Sequence, residues 1–255
     1  MNAFLADMRK TIMPDRHGRN GPLPPLLISM TLVTGLVDAF SYLVLGHVFV
    51  ANMTGNIVLL GFALAGAPGF SITASATALA SFFAGALIGG RIGSRHGDHR
   101  GRLHSSAAAI QSLFLAVAVI LAALSSIPIM ASYRYALIVA LGAAMGTQNA
   151  AARKIAVPDL TTTVLTLTIT GIAADSALAG GPGSKAGSRL VPVATMLAGA
   201  LVGAVLVRHA PIFYPLAIAL VTVILGSVTS HILGRPGPAW VRASGQTAVP
   251  TDKTY

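Results

Sequence analysis

Glutamate and cysteine are both absent from this chain of 255 residues, and charge of any kind is scarce, at 9%. A soluble domain carries about 25% charged residues, so no soluble surface can be assembled from this composition. All seven acidic residues are Asp, which removes the Glu–Lys ladders that soluble helices display. The lack of Cys excludes disulfides, thiolate metal sites and cysteine nucleophiles. Enzyme signatures are missing as well: there is no HExxH, GxSxG, P-loop or dinucleotide fingerprint. The expectation is a protein that is not an enzyme and needs no cofactor and no metal.

Hydrophobic residues make up 54% of the chain, and they are gathered in long runs. A helix needs about 20 mostly apolar residues to cross a bilayer. Six stretches reach or approach that length: Leu26 to Gly46, Thr73 to Gly93, Ser105 to Leu124, Arg134 to Ala151, Leu190 to Val207 and Ile212 to Leu233. Two shorter ones, Thr54 to Ala65 and Thr161 to Ala174, open on the polar clusters TGN and TTT. The expected fold is an all-α integral membrane protein, with about six transmembrane helices and two re-entrant or broken half-helix segments.

Charge decides how the short stretches are read. The chain carries a net charge of +10, but its Lys and Arg fall in clusters between apolar runs rather than on a stripe. They signal topology, and no nucleic-acid partner is expected. If both short stretches crossed, the basic residues would divide almost evenly between the two sides. If both enter and return, only Arg134 and Arg208 of the 17 Lys and Arg fall on the side away from the termini, as the positive-inside rule requires. Residues 1–25 are then a cytoplasmic N-terminal tail without a signal peptide. Residues 26–233 form the membrane domain, and residues 234–255, rich in Pro, Gly, Ser and Thr, form a disordered cytoplasmic tail. Trp240 is expected as an anchor at the membrane interface.

The second half replays the first. GLVDA at Gly35 to Ala39 lines up with GTQNA at Gly146 to Ala150, VANMTGNIVLL from Val50 with VPDLTTTVLTL from Val157, and AGALIG from Ala84 with AGALVG from Ala198. Repeat 1 covers about 26–125 and repeat 2 about 134–233. Three spans plus one re-entrant segment is an odd number of crossings, so the units would be inverted relative to each other, a plan common in secondary transporters.

Several polar residues stand out on this scaffold. Asp38, in the middle of the first span, costs roughly 2.5 to 3.5 kcal/mol to insert. It is read as a proton-coupling or substrate-contacting group, or as a structural carboxyl bonded to a neighbour. Asn52, Thr54 and Asn56 sit where a helix begins, and unpaired N–H groups there attract anions, although simple N-capping needs the same residues. Asp159, Thr161 and Thr163 repeat that arrangement after Pro158. Gln148 and Asn149 stand where the first half has Asp38, as an uncharged counterpart or as polar glue between helices. The GxxxG patterns allow close helix approach and also permit a homo-oligomer.

The runs GLVDAFSYLVLGHVFVANMTGNIVLLGFALAG and GTQNAAARKIAVPDLTTTVLTLTITGIAAD resemble those of the YoaK family of bacterial membrane proteins, DUF1275, over about residues 25 to 233. The resemblance implies a polytopic bacterial inner-membrane protein of about six helices. It supplies no substrate and no catalytic residues. The functional expectation is a small secondary transporter of a small, anionic solute, with protons as coupling ion. A channel-like facilitator and a structural or regulatory membrane protein are the alternatives.

Overall fold

The computed structural model describes residues 2–15, 18–126, 128–157, 165–181, 183–235 and 238–242. The described residues form helices α1 (Asn2–Ile12), α2 (Leu23–Val44), α3 (Met53–Leu64), α4 (Ile72–His96), α5 (Arg100–Leu124), α6 (Ala131–Ile155), α7 (Leu165–Ala174), α8 (Ala186–His209) and α9 (Tyr214–Leu233), with no β-strand among them. The helix starts are written locally. Pro stands in the first turn of α2 and of α9, where its missing N–H costs nothing. Asn52, Ser71 and His99 cap α3, α4 and α5 with side-chain acceptors.

Five helices (α2, α4, α5, α8 and α9) are long and apolar enough to cross a membrane. Helix α6 is as long, at 25 residues, but less apolar, because its second half carries Thr147, Gln148 and Asn149. It is also deeply enclosed: every residue from Leu141 to Gln148 is buried. Large apolar side chains such as Phe83, Leu87, Leu113, Leu197, Leu201 and Leu225 point outward, while Thr31, Thr34, Asp38, Gln111, Thr147 and Gln148 are buried. Apolar outside and polar inside is the distribution of a chain whose solvent is lipid. The protein is an all-α membrane protein.

Hydrogen bonds fix the helix directions. Arg100, at the start of α5, donates to the carbonyl of Ile155 at the end of α6 and to that of Arg19, just before α2. Ser227, near the end of α9, donates to the Ser105 carbonyl at 3.0 Å. The starts of α2 and α5 and the ends of α4, α6 and α9 therefore share one end of the bundle, called here the near end. Helix α8 starts there too, because it runs parallel to α2, with Gly199 against Leu32 and Gly203 against Leu36. The six long helices thus alternate in direction along the chain, and α2 begins where α9 finishes.

Helix α3 does not add a crossing. After α2 ends at the far end, residues 48–51 turn back alongside it, and α3 then runs outward again. His47 Nδ1 lies 3.1 Å from the Gly69 carbonyl, and the Phe62 and Phe70 rings meet at 5.5 Å. The segment therefore enters and leaves at the same end. On the near side, α7 leads back to the start of α8, where Arg189 donates to the Gly171 carbonyl at 2.7 Å and pairs with Asp175 at 2.6 Å.

The closest helix contacts come in matched pairs. Gly85 and Gly89 on α4 rest on the backbone of α6 at Ala143 and Thr147, while Gly199 and Gly203 on α8 rest on α2 at Leu32 and Leu36. The α8 glycines follow the α4 glycines by 114 residues, and the α6 contacts follow the α2 contacts by 111. The reverse faces obey the same offsets: Gly146 meets Phe82 and Ala86, and Gly35 meets Met196 and Ala200. A Cβ added at Gly85 would stand 2.1 Å from the Ala143 carbonyl oxygen, and one at Gly199 would stand 2.3 Å from that of Leu32. Gly85→Val and Gly199→Val are each expected to cost about 3 kcal/mol or more by overpacking. Gly90→Ala, which meets nothing within 4 Å, should be neutral; thermal unfolding of the purified variants checks the contrast.

The two ends of the chain depart from the expectation of simple tails. Residues 2–12 form α1, which packs on α8, with Gly187 against the backbone of Phe4. In the C-terminal segment, Trp240 is 2% exposed and lies against Gly21 and Gly101. It plugs the near end of the bundle instead of anchoring at an interface, because two glycines leave a slot for the indole.

Candidate functional site

Asp38 sits about one and a half turns before the end of α2, roughly 9 Å along the helix axis. Its carboxylate is what holds the returning segment in place. Oδ1 accepts from the Val50 amide at 3.1 Å and from the Ala51 amide at 2.9 Å. In a bundle without water, a non-helical strand carries unpaired N–H groups that must find acceptors, and Asp38 supplies one acceptor for two of them. Among the described residues, Oδ2 is buried and has no hydrogen-bond partner.

The rest of the turn is closed by Asn56, which is fully buried. Its Oδ1 accepts from the Phe49 amide at 2.9 Å, and its Nδ2 donates to the Phe49 carbonyl. One side chain thereby satisfies both backbone groups of Phe49, as a neighbouring strand would. The Phe49 ring stacks on Tyr42 at 4.9 Å. Asn52 and Thr54 face outward at the start of α3, where Asn52 caps the Gly55 amide with a long 3.5 Å contact. Asp38 thereby fixes the segment that leads directly into the first turn of α3.

Gln148 belongs to a different cluster. Its Nε2 donates to Thr34 Oγ1 at 2.9 Å and to the Met30 carbonyl at 3.3 Å, and its Oε1 accepts from Gln111 Nε2 at 2.6 Å. This chain of amides ties α2, α6 and α5 together, nearer the start of α2 than Asp38 is. Gln148→Leu is expected to leave Gln111 Nε2 with only a long contact to the Met145 sulfur, at 4.0 Å, and to cost about 1 to 3 kcal/mol. Chemical unfolding of the variant against the parent measures it. Asn149 is half-buried and donates to the Met145 carbonyl at 2.9 Å. Asp159, Thr161 and Thr163 lie outside the described residues.

Two buried residues of consequence were not among the expected site residues. Gln111 was visible as a lone amide within an apolar run. Arg100, 2% exposed, looked like any other charge of the basic loop. The histidines of that loop also part company: His99 caps α5, whereas His104 turns into the core, where its Nδ1 lies 3.0 Å from Ser230 Oγ.

Comparison with known proteins finds the family described as "Protein of unknown function (DUF1275)" matching residues 26–229. The chain belongs to that family. The match takes in all six long helices but for the first residues of α2 and the last of α9, and it spans the returning segment. The UPF0700 transmembrane protein YoaK of Bacillus subtilis (strain 168) is 32% identical over 152 residues, which is 59% of this chain and 65% of that protein. No solved structure matches.

Proposed function

We propose that this member of the family is a small secondary transporter, not an enzyme, built from two inverted repeats in the bacterial inner membrane. The observation that carries the reading is the pairing of α4 on α6 with α8 on α2 at constant offsets, combined with a carboxylate-held segment that enters and leaves at one end. Exchanging the halves sends α2 onto α6, which runs the opposite way, as an inverted repeat requires. Rocking one pair of helices against the other would open the site to each side in turn. Among the described residues the near end carries every Lys and Arg except Arg134 and Arg208, so it is assigned to the cytoplasm with both termini.

In this reading the solute lies against the open first turn of α3, whose N–H groups favour an anion. The free Oδ2 of Asp38 would repel that anion unless it carried a proton. A proton on Oδ2 removes the repulsion and supplies a donor, which couples solute entry to proton entry. Asn52 and Thr54 line the approach, while Asn56 and Gln148 keep the scaffold rigid. Because those two amides are spent on internal bonds, the competing reading of a structural membrane protein has support in the same site.

Proteoliposomes on a solid-supported membrane test the proposal with a panel of small carboxylates, phosphates and amino acids. Transport predicts saturable, pH-dependent currents for at least one solute, lost in Asp38→Asn while the variant stays folded. Currents that never saturate would favour a channel. No current for any solute, with Asp38→Asn changing stability alone, would favour the structural reading.

A further inference from the structure

The near end holds a cavity of about 450 Å³ between the first turn of α5 and the last turn of α9, lined among others by His99, Arg102, His231 and Arg235. Among the described residues no carboxylate lines it, and neither arginine has a carboxylate within ion-pair distance; Asp175 is held by Arg189 instead. Gly101, whose amide has no acceptor within its own helix, also faces the space. The carbonyl end of α9 contributes about half a negative charge, which two guanidinium groups outweigh.

We infer that this cavity binds a phosphate group, supplied by the headgroup of an anionic membrane lipid or by free phosphate. The donor set fits. Each guanidinium offers paired N–H groups that match phosphate oxygens. His99 Nδ1 accepts from the Arg102 amide at 3.1 Å, so its proton sits on Nε2 as a further donor. Burial, and then the charge of Arg102, push His99 below the ordinary imidazole range, which keeps the ring neutral and the tautomer fixed. The position fits a lipid too. Val228 on α9 and Leu113 on α5 are exposed deeper along the same helices, where acyl chains would lie. Basic pockets between helices on the cytoplasmic side are places where anionic headgroups bind.

The test uses the full chain, purified in neutral detergent, with thermal stability followed against phosphatidylglycerol, phosphatidylcholine, and sodium phosphate at constant ionic strength. Phosphatidylglycerol or phosphate is expected to stabilise the parent saturably. Arg102→Gln combined with Arg235→Gln should raise the half-saturating concentration about tenfold, the equivalent of about 1.4 kcal/mol. Arg91→Gln with Arg95→Gln, which removes the same charge from the neighbouring end of α4, should leave it unchanged. Stabilisation by the lipid and not by phosphate assigns the source to a headgroup, and the converse assigns it to free phosphate. The inference is overturned if neither stabilises, if phosphatidylcholine works as well as phosphatidylglycerol, or if both pairs of substitutions weaken binding equally. Arg235→Gln alone serves if the double variant does not fold.

Discussion

Replacing Asp38 by alanine is expected to destabilise the protein by about 2 to 6 kcal/mol, because two buried amides lose their acceptor at about 1 to 3 kcal/mol each. Those amides, Val50 and Ala51, belong to a segment with no helix or sheet of its own to satisfy them. Asp38→Asn keeps an oxygen where Oδ1 stands. It exchanges two charge-assisted bonds for neutral ones of about half the strength, so its loss should stay near 1 to 2 kcal/mol. The two variants separate the roles of the residue: alanine removes the tether, and asparagine removes only the titratable oxygen. Unfolding of both in detergent or nanodiscs, measured beside the current assay, gives the answer. Two variants as stable as the parent would mean that Asp38 does not hold the returning segment.

Arg100→Ala is the second substitution with a large expected effect, about 3 to 5 kcal/mol. The buried guanidinium donates to Ile155 O from Nε at 3.1 Å and from Nη2 at 2.9 Å, and it also reaches the Arg19 carbonyl and Asn20 Oδ1. Hydrogen bonds from a charged group contribute about 1.5 to 3 kcal/mol each, and the end of α6 favours a cation. Arg100→Lys keeps the charge but not the fork, so it should recover only part of the loss. The expected readout is a lower unfolding midpoint together with faster proteolysis at the turn before α5, since the ends of α4 and α6 and the approach to α2 are joined there. An alanine variant within about 0.5 kcal/mol of the parent, the range of an ordinary surface substitution, would show that the arginine is only a topology charge.

Much of the fold could be read from hydropathy and charge. The six long stretches all become helices, but α4 and α5 extend several residues past the apolar runs, to His96 and from Arg100. Arginine stems can lie along apolar surface while their heads reach water, so a helix continues where hydropathy has already fallen. Helix α1 was not foreseen, because a short amphipathic helix has no apolar run. The returning path of α3 was legible only through the distribution of Lys and Arg, since its own composition fits a short crossing equally well.

The site was legible in part. Asp38 announced itself through the cost of a carboxylate in a span. Its partners did not, because a backbone amide looks the same at every position, and nothing in the sequence marks Val50 and Ala51 as the pair it binds. Asn56 was read together with Asn52 and Thr54 as one polar cluster. The structure divides them, with Asn56 inward on Phe49 and the other two outward. Gln148 and Asn149 are neighbours in the sequence but point to different faces of α6. Trp240 reached its slot through glycines more than a hundred residues away, a contact that only the assembled fold defines.

The most direct test of the central claim is thiol accessibility, which the absence of Cys makes straightforward. Single cysteines at Ser94, Ala67 and Ser184 are probed with an impermeant reagent from each side of the membrane. The account predicts that Ser94 and Ser184 react only from the cytoplasm and Ala67 only from outside. If Ser94 reacts from outside while the N-terminus is cytoplasmic, α3 crosses the membrane, the halves are parallel rather than inverted, and the transporter reading loses its foundation.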